Sequence, residues 1–450
     1  MNELLSVSPI DGRYAKYTSE LKNYFSEYSL FKYRLLIELK YLIAFLTVIR
    51  PNKIYNFISK KINNIYEDFT VEECLKIKHL ENKINHDVKA VEYYIKNKFE
   101  MIGLKEFGNF VHFGLTSQDI NNTAIPLSIK EFTEDIYYKL TNNILRDLDS
   151  KSDKWKEIIF ITRTHGQPAT PSTFGKEIKV FSYRIKKQYE ILKNIKYWSK
   201  FGGSTGHFNA HKLAYPKINW IDFSNKLIEN LGLHRNKYTT QIDNYENLSN
   251  YFDCVKRINL ILIDLCRDIW YYISMEYFTL KINKNEVGSS TMPHKINPIN
   301  FENAEGNLML TNSILEFMSR KLPISRLQRD LTDSTILRNL GSVFGYILIA
   351  FKNIISGLNK IDINKNKIEK DKKKYYVVIS EGIQTILRKY NYSNAYEKLK
   401  NITRTNNYLT KKNLDDFIIN LECSGKIKNK LLKISVDNYI GYSDMSIIQN

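Results

Sequence analysis

Apolar residues recur at helical spacing along three long stretches of the chain. Ile129, Phe132, Ile136, Leu140, Ile144 and Leu148 form one row. Phe174, Ile178, Phe181, Ile185, Leu192 and Ile195 form a second, and Phe252, Val255, Ile258, Leu262, Cys266, Ile269 and Ile273 a third. Side chains three and four apart share one face of a 3.6-residue helix, so each row predicts a helix of roughly five or more turns packed in a bundle. No period-2 alternation is sustained, and no internal repeat is evident. The pattern predicts an all-α fold.

Segments 112–123, 162–175, 201–211 and 285–298 separate the rows and are rich in Gly, Thr, Ser and His. Loops at the ends of rigid helices are where a bundle places a site. The Lys- and Asn-rich run 361–374 marks a crossing into a C-terminal part, and the chain before Phe107 reads as a separate helical unit. Three helical domains are therefore expected: 1–107, a central long-helix bundle over 108–360, and 361–450. Composition agrees, since Gly 18 and Pro 9 in 450 residues leave few turn-formers.

A net charge of +19 invites a nucleic-acid reading. The basic residues are spread over the whole length without a nucleic-acid motif, so a solvated surface is expected, with no nucleic-acid role. A locally basic pocket for a small polyanion is a better use of such charge. Cys74, Cys254, Cys266 and Cys423 show no CxxC spacing and read as core thiols of a reducing compartment. MNELLSVSPIDGRY lacks a basic region followed by an apolar run. The most apolar stretch, Leu340 to Phe351, contains glycines and reads as too short for a bilayer. A cytoplasmic protein with no membrane contact is expected.

Two signals are set aside. His207 and His211 stand four apart, but no HExxH and no third ligand accompany them, and Gly202, Gly203 and Gly206 disfavour a helix; no metal site is expected. GGSTG at 202–206 lacks the GK[ST] ending of a phosphate loop and reads as a close passage of the chain past another subunit or a substrate.

The chemistry concentrates in a few strings. In GSSTMPHKINP, residues 288–298, Ser289 and Ser290 offer hydroxyls, prolines fix turns, and Lys295 and Asn297 bring a cation and an amide close. Such a loop can hold a basic serine beside a charge that favours its alkoxide; a Gly-Ser-Ser loop alone is more often a plain linker. RTHGQPATP, 163–171, places His165 before a long helix, where a lone histidine also serves structure. NHDVKAVEY, 85–93, opens a helical stretch and is also readable as an N-cap cluster. TSQDINN, 116–122, SPIDGRY, 8–14, YTTQ, 238–241, and SRLQRDLTDSTILR, 325–338, complete the set. The last is a basic, hydroxyl-rich helix start suited to a phosphate, although Arg329 and Arg338 alone would read as ion-pairing residues.

GSSTMPHKINP resembles the GSSxMPxKxNP signature of the fumarase/aspartase superfamily, and RTHGQPATP resembles its THxQPA-type segment. NHDVKAVEY, TSQDINN and His294 resemble the bacterial-type adenylosuccinate lyase branch more than its relatives. The resemblance runs nearly end to end and is weakest near 50–75 and after 360. It implies a homotetramer built around long helices, with active sites shared between subunits, and release of fumarate from adenylosuccinate or from the succinyl-imidazole carboxamide SAICAR, with no cofactor.

Residue by residue, the resemblance implies Ser289 as catalytic base and His165 as general acid, a role that suits imidazole, which titrates near neutrality. It implies substrate contacts from Arg13, Tyr14, Asn85, His86, Asp87, Thr116, Ser117, Gln241, Ser290, Lys295, Asn297 and Asn303, and phosphate or nucleotide contacts from Arg329, Ser334, Thr335 and Arg338. Rival readings are argininosuccinate lyase or another member of the superfamily, a catalytically silent helical oligomer, and a basic nucleic-acid binder.

Overall fold

The computed structural model describes residues 3–51, 56–281, 291–292, 294–404 and 409–442. The helices that matter for the site are, in chain order, α1 (Glu27–Ile49), α2 (Val71–Ile84), α3 (Asp87–Met101), α4 (Ser117–Phe132), α5 (Tyr138–Lys154), α6 (Phe174–Lys193), α7 (Asn209–Ala214), α8 (Glu246–Ser274), α9 (Ile299–Lys321), α10 (Thr332–Leu337), α11 (Leu340–Lys360) and α12 (Lys365–Lys374). Between α5 and α6 lies an antiparallel hairpin, β1 (Ile159–Thr164) and β2 (Gln167–Thr173). The other described strands are pairs of two or three residues each. Two compact units divide the chain: residues 1–141, 188–260 and 306–352 form the first, and 142–187, 261–305 and 353–450 the second.

The predicted rows are real, with one slip. Phe174, Ile178, Phe181, Ile185 and Leu192 of α6 are buried, as are Phe252, Val255, Ile258, Leu262, Cys266 and Ile269 of the 29-residue α8. The row that begins at Ile129 and Phe132 shifts phase at a π-helical stretch, Thr133–Tyr137. One extra residue per turn there rotates the helix, so Tyr137 takes the buried place expected of Ile136, and Ile144 and Leu148 stay inward. The Thr133 hydroxyl meets the Tyr251 hydroxyl at 2.7 Å in this otherwise apolar layer.

In the first unit α1 and α4 bury a common face: Tyr33, Ile37 and Tyr41 pack in one cluster with Ile120, Ala124 and Leu127. Phe344 of α11 stacks on Phe25 at 4.9 Å and lies 4.6 Å from Phe132. The helical span Thr332–Lys360 contains an 18-residue stretch apolar enough to cross a membrane by composition, with a mean hydropathy of 1.4. Val343, Phe344, Ile347, Leu348, Ile349, Ala350 and Phe351 are nevertheless fully buried, so this apolar helix is core. The apolar run therefore extends beyond the Leu340–Phe351 stretch read from the sequence.

In the second unit the hairpin joins a helical C-terminal core. Ile161 of β1 packs with Ile379, Ile383, Leu387, Leu414 and Ile418. Phe160 stacks on Phe174 at 3.9 Å. At the foot of the hairpin, Gly175 lets α6 approach α5 closely: a Cβ there would stand 2.5 Å from both Lys156 Cα and Ser152 O. The Ser152 hydroxyl also donates to Gly175 O at 2.8 Å. Backbone rather than a flexible side chain blocks the space, so Gly175→Ala should destabilise the protein by about 1–3 kcal/mol, the cost of overpacking. Thermal unfolding of the variant checks this; an unchanged midpoint would show that the two helices can separate without penalty.

Candidate active site

One cleft of about 670 Å³ in the first unit gathers residues from three of the seven strings. Asn85, His86, Asp87, Ser117, Arg329, Ser334 and Arg338 all line it. Each arrives by a different local rule. Asn85 ends α2 in the left-handed region (φ 52°), which Asn tolerates, and so turns the chain into α3. His86 caps α3, its Nδ1 accepting the Lys89 N–H at 3.1 Å. The N-cap reading of Asn-His-Asp is thus correct for the backbone, and the same turn presents the residues to the cleft.

Asp87 is held from three sides. It accepts from Val88 N at 2.9 Å and from the buried Arg34 guanidinium at 2.7 Å, and Arg338 stands at 3.5 Å. Burial pushes the Asp87 carboxyl up, but the Arg34 charge and these hydrogen bonds outweigh it, and its pKa lies below the ordinary carboxylate value. Arg34 also donates through Nε to Asn121 at 2.8 Å. Around α10, Asp333 accepts from the Tyr245 hydroxyl at 2.8 Å and from Ser334 N at 2.7 Å, which fixes the Ser334 hydroxyl at the cleft wall. Gln118 Nε2 reaches that hydroxyl at 3.5 Å. Gln241 lies behind the wall and accepts from Arg329 at 3.5 Å.

Thr116 and Ser117 begin α4, whose first turn faces the cleft through Ser117, Gln118 and Asn121. Asp119 organises this helix start. It accepts the Thr116 N–H at 2.8 Å, the Lys200 ammonium at 2.7 Å and the amides of Gly202 and Gly203 at 2.8 and 3.1 Å. Asp119 and Lys200 are both 0% exposed. Lys200 also donates to Gly203 O, and its burial pulls its pKa below the ordinary lysine value against the pull of Asp119. The GGSTG segment therefore makes its close approach within the same chain, to Asp119 and to Gly114, whose carbonyl lies 3.3 Å from the Cβ position of Gly203. His211, four residues after His207, sits inside the short helix α7 despite the preceding glycines.

Several positions that support the candidate site carried a signal that the motif reading passed over. Arg34, Glu38 and Tyr41 are polar residues at positions i, i+4 and i+7 of the apolar helix α1, hence on one face. Glu38 meets His112 Nδ1 at 2.5 Å, and Tyr41 donates to Phe113 O at 2.6 Å. Burial lowers the His112 pKa, but the Glu38 charge raises it more, leaving it above the ordinary histidine value.

Not every expected residue lies in the cleft. Arg13 and Tyr14 belong to an N-terminal segment that folds back on itself, Tyr14 N donating to Pro9 O at 2.8 Å, and neither lines the cleft. Thr335 is exposed outside the lining. In the second unit, His165 and Gly166 form the two-residue tip of the β1–β2 hairpin with φ of 51° and 75°, the left-handed pair of a type I′ turn. The exposed imidazole stands on a scaffold fixed by Arg163, which packs over the Tyr375 ring at 4.8 Å and lies 3.9 Å from Asp371. Lys295 is exposed and Asn297 half-buried ahead of α9, and Asn303 accepts from Asn353 at 3.0 Å. Ser289 and Ser290 lie outside the described residues.

A family model described as Lyase matches residues 12–312, and one described as Adenylosuccinate lyase C-terminal matches residues 325–440. Adenylosuccinate lyase of Dictyostelium discoideum is 49% identical over 98% of this chain and 97% of its own length. That of Escherichia coli K12 is 40% identical over 98% and 97%. The chain belongs to the adenylosuccinate lyase family. Among solved structures, a fumarate lyase from Mesorhizobium sp. BNC1 aligns with a TM-score of 0.76 at 14% identity, covering 96% of this chain and 97% of that one. The 3-carboxy-cis,cis-muconate lactonizing enzyme of Pseudomonas putida gives 0.76 at 16%, covering 97% of each. At these identities the likeness is one of fold, and it places this adenylosuccinate lyase family member among all-α proteins of long helices.

The buried pair beneath α4 generates a prediction. Lys200→Met leaves the Asp119 carboxylate buried without its cation, which should cost about 3–5 kcal/mol. Adding Asp119→Asn should restore part of that loss. Urea unfolding of the three proteins checks it, and a single variant as stable as the parent would contradict the assignment.

Proposed function

We propose that the chain is an adenylosuccinate lyase that cleaves adenylosuccinate to AMP and fumarate, and SAICAR to AICAR and fumarate. The observation that carries this reading is the cleft in which Arg329, Arg338, Ser334, Ser117 and His86 converge. Two guanidinium groups and hydroxyls at helix starts suit a phosphate and carboxylates. The reaction breaks the bond between a succinyl carbon and the amine nitrogen. A base takes the proton from the neighbouring carbon, whose electron pair becomes the new double bond, and the nitrogen leaves with a proton from an acid.

In this reading Ser289 is the base and His165 the acid. Lys295 and Asn297, with Thr116 and Ser117, stabilise the carbanion, which carries two negative charges as an aci-carboxylate. Asn85, Asp87, Gln241, Ser290 and Asn303 complete the substrate shell, Arg13, Tyr14 and Thr335 hold the nucleotide, and His86 orients the acid or binds the phosphate. The mutual geometry of Asp87, Arg34 and Arg338 supports a positioning role for Asp87. No cofactor enters any step.

The chain works as a homotetramer with shared sites, and three domains, 1–107, 108–360 and 361–450, belong to the same reading. Large apolar side chains exposed on the long helices support assembly: Leu260, Trp270 and Tyr271 on α8, Met309, Leu310 and Phe317 on α9, and Tyr183 and Ile191 on α6. Free thiols at Cys74, Cys254, Cys266 and Cys423 and the buried α11 support a cytoplasmic setting.

Purified protein given adenylosuccinate should form AMP and fumarate in equal amounts. Cleavage of argininosuccinate instead would move the chain to a sister activity, and no fumarate from either substrate would overturn the reading. Ser289→Ala and His165→Ala proteins, each inactive alone, should regain part of the activity when mixed as co-assembled tetramers. Confirmed mixed tetramers without activity would exclude shared sites.

A further inference from the structure

His211 is not used by the reaction just described, yet it is one of the most constrained side chains in the first unit. It is 1% exposed and packs against Trp220 at 4.7 Å between ring centroids. Its Nε2 lies 2.9 Å from the Tyr41 hydroxyl, and that hydroxyl lies 2.6 Å from Phe113 O. A carbonyl only accepts, so the single Tyr41 proton goes to Phe113 O. The contact with His211 is then a hydrogen bond only if Nε2 carries the proton and donates. This puts a proton on Nε2, and buried Nδ1 has no hydrogen-bond partner among the described residues. Burial, which pushes the imidazole down to about 4, agrees with a neutral ring.

The ring lies flat against Gly114. A Cβ on Gly114 would meet Cε1, Nδ1 and Nε2 at 2.7, 2.8 and 3.0 Å, and Gly114 itself is left-handed at φ 68°. The imidazole therefore occupies the space that any side chain at 114 would need. Only Leu115 and Thr116 separate this contact from Ser117 at the cleft. The segment 112–116 is gripped at four of its five residues: Glu38 holds His112, Tyr41 holds Phe113 O, His211 backs Gly114, and Asp119 holds Thr116 N.

We propose that His211 is a positioning residue, which through Tyr41 and Gly114 sets the backbone that delivers Thr116 and Ser117 to the substrate. The inference rests on the reading that these two residues stabilise the carbanion. An interaction made only in the transition state, when weakened, lowers kcat and leaves KM nearly unchanged.

The test compares H211Q, H211N, Y41F and the Y41F/H211N double variant as full-length protein, with kcat and KM for adenylosuccinate, and adds crystal structures of wild type and H211N. Gln presents an N–H where Nε2 stands and Asn does not. H211N should lose about 10–100-fold in kcat, the scale set by displacement on the order of 1 Å, with KM within about threefold. H211Q should recover most of that loss, and Y41F should add little to H211N, because both act through one chain of contacts. In the H211N crystal structure Gly114 and Thr116 should be displaced. Equal losses in H211Q and H211N, additive effects of the two substitutions, or an unmoved Gly114–Ser117 backbone would each overturn the proposal. Wild-type protein that releases no fumarate would count against the lyase reading, and the crystallographic comparison would still decide the role of His211.

Discussion

The Asp119–Lys200 pair is the constraint on which the site depends. A carboxylate with no solvent exposure must have its charge and lone pairs met by the protein. Asp119 meets them with one ammonium and three backbone amides drawn from two separate segments, 116 and 200–203. To satisfy this one side chain, the first turn of α4 and the glycine-rich segment must be brought together and held. Gly202 and Gly203 are required there for closeness: a Cβ on Gly202 would sit 2.8 Å from Gly206 O, and Gly203 has φ 77°. A polar knot of this kind specifies geometry more than it stabilises.

The face of α1 repeats the same logic with side chains. Arg34, Glu38 and Tyr41 each reach a different partner: Arg34 holds Asp87 and Asn121 at the cleft, Glu38 meets His112, and Tyr41 donates to Phe113 O. Phe31, Leu35, Ile37, Leu39, Leu42, Phe45 and Leu46 of α1 are buried around this row, so the helix is a rigid post whose polar row cannot drift. Left-handed backbone at His112 (φ 58°) stores strain that only such surroundings sustain. The loop between α3 and α4 is thereby converted from a flexible connection into part of the scaffold.

The long helices were legible because a row of apolar residues at three-four spacing has one physical solution in water. The first row failed locally, at Ile136, because a π-helical stretch changes the phase and leaves no mark in a pattern of apolar positions. The hairpin that carries His165 escaped for a different reason. Pro168 and Pro171 interrupt alternation in β2, tolerated because a two-stranded ribbon has only edges. The His-Gly tip does match a type I′ turn in retrospect, but a single dipeptide is a weak signal. Of the site, the motif residues that line the cleft were readable as strings. Arg34, Glu38 and Tyr245 were not, since each matters through a partner far away in sequence, and only folding makes the pairing visible.

The cleft poses an electrostatic problem of its own, because it concentrates like charges. Arg34, Arg329 and Arg338 line one cavity, and bare guanidinium groups at such separations repel. Asp87 and Asp333 are interleaved among them and are occupied by Arg34 and by Tyr245 and Ser334 N respectively. Arg34 is buried and bound on two sides, so its charge is spent on structure. Arg338 is mostly exposed and touches Asp87 at only 3.5 Å. In the proposed reading an arriving anion meets a cation that is pre-positioned yet weakly held, while the carboxylate that positions it stays ionised through Arg34. The division between a buried arginine that fixes the carboxylate and an exposed one that remains available is what allows a crowded cationic cleft to persist in the folded protein.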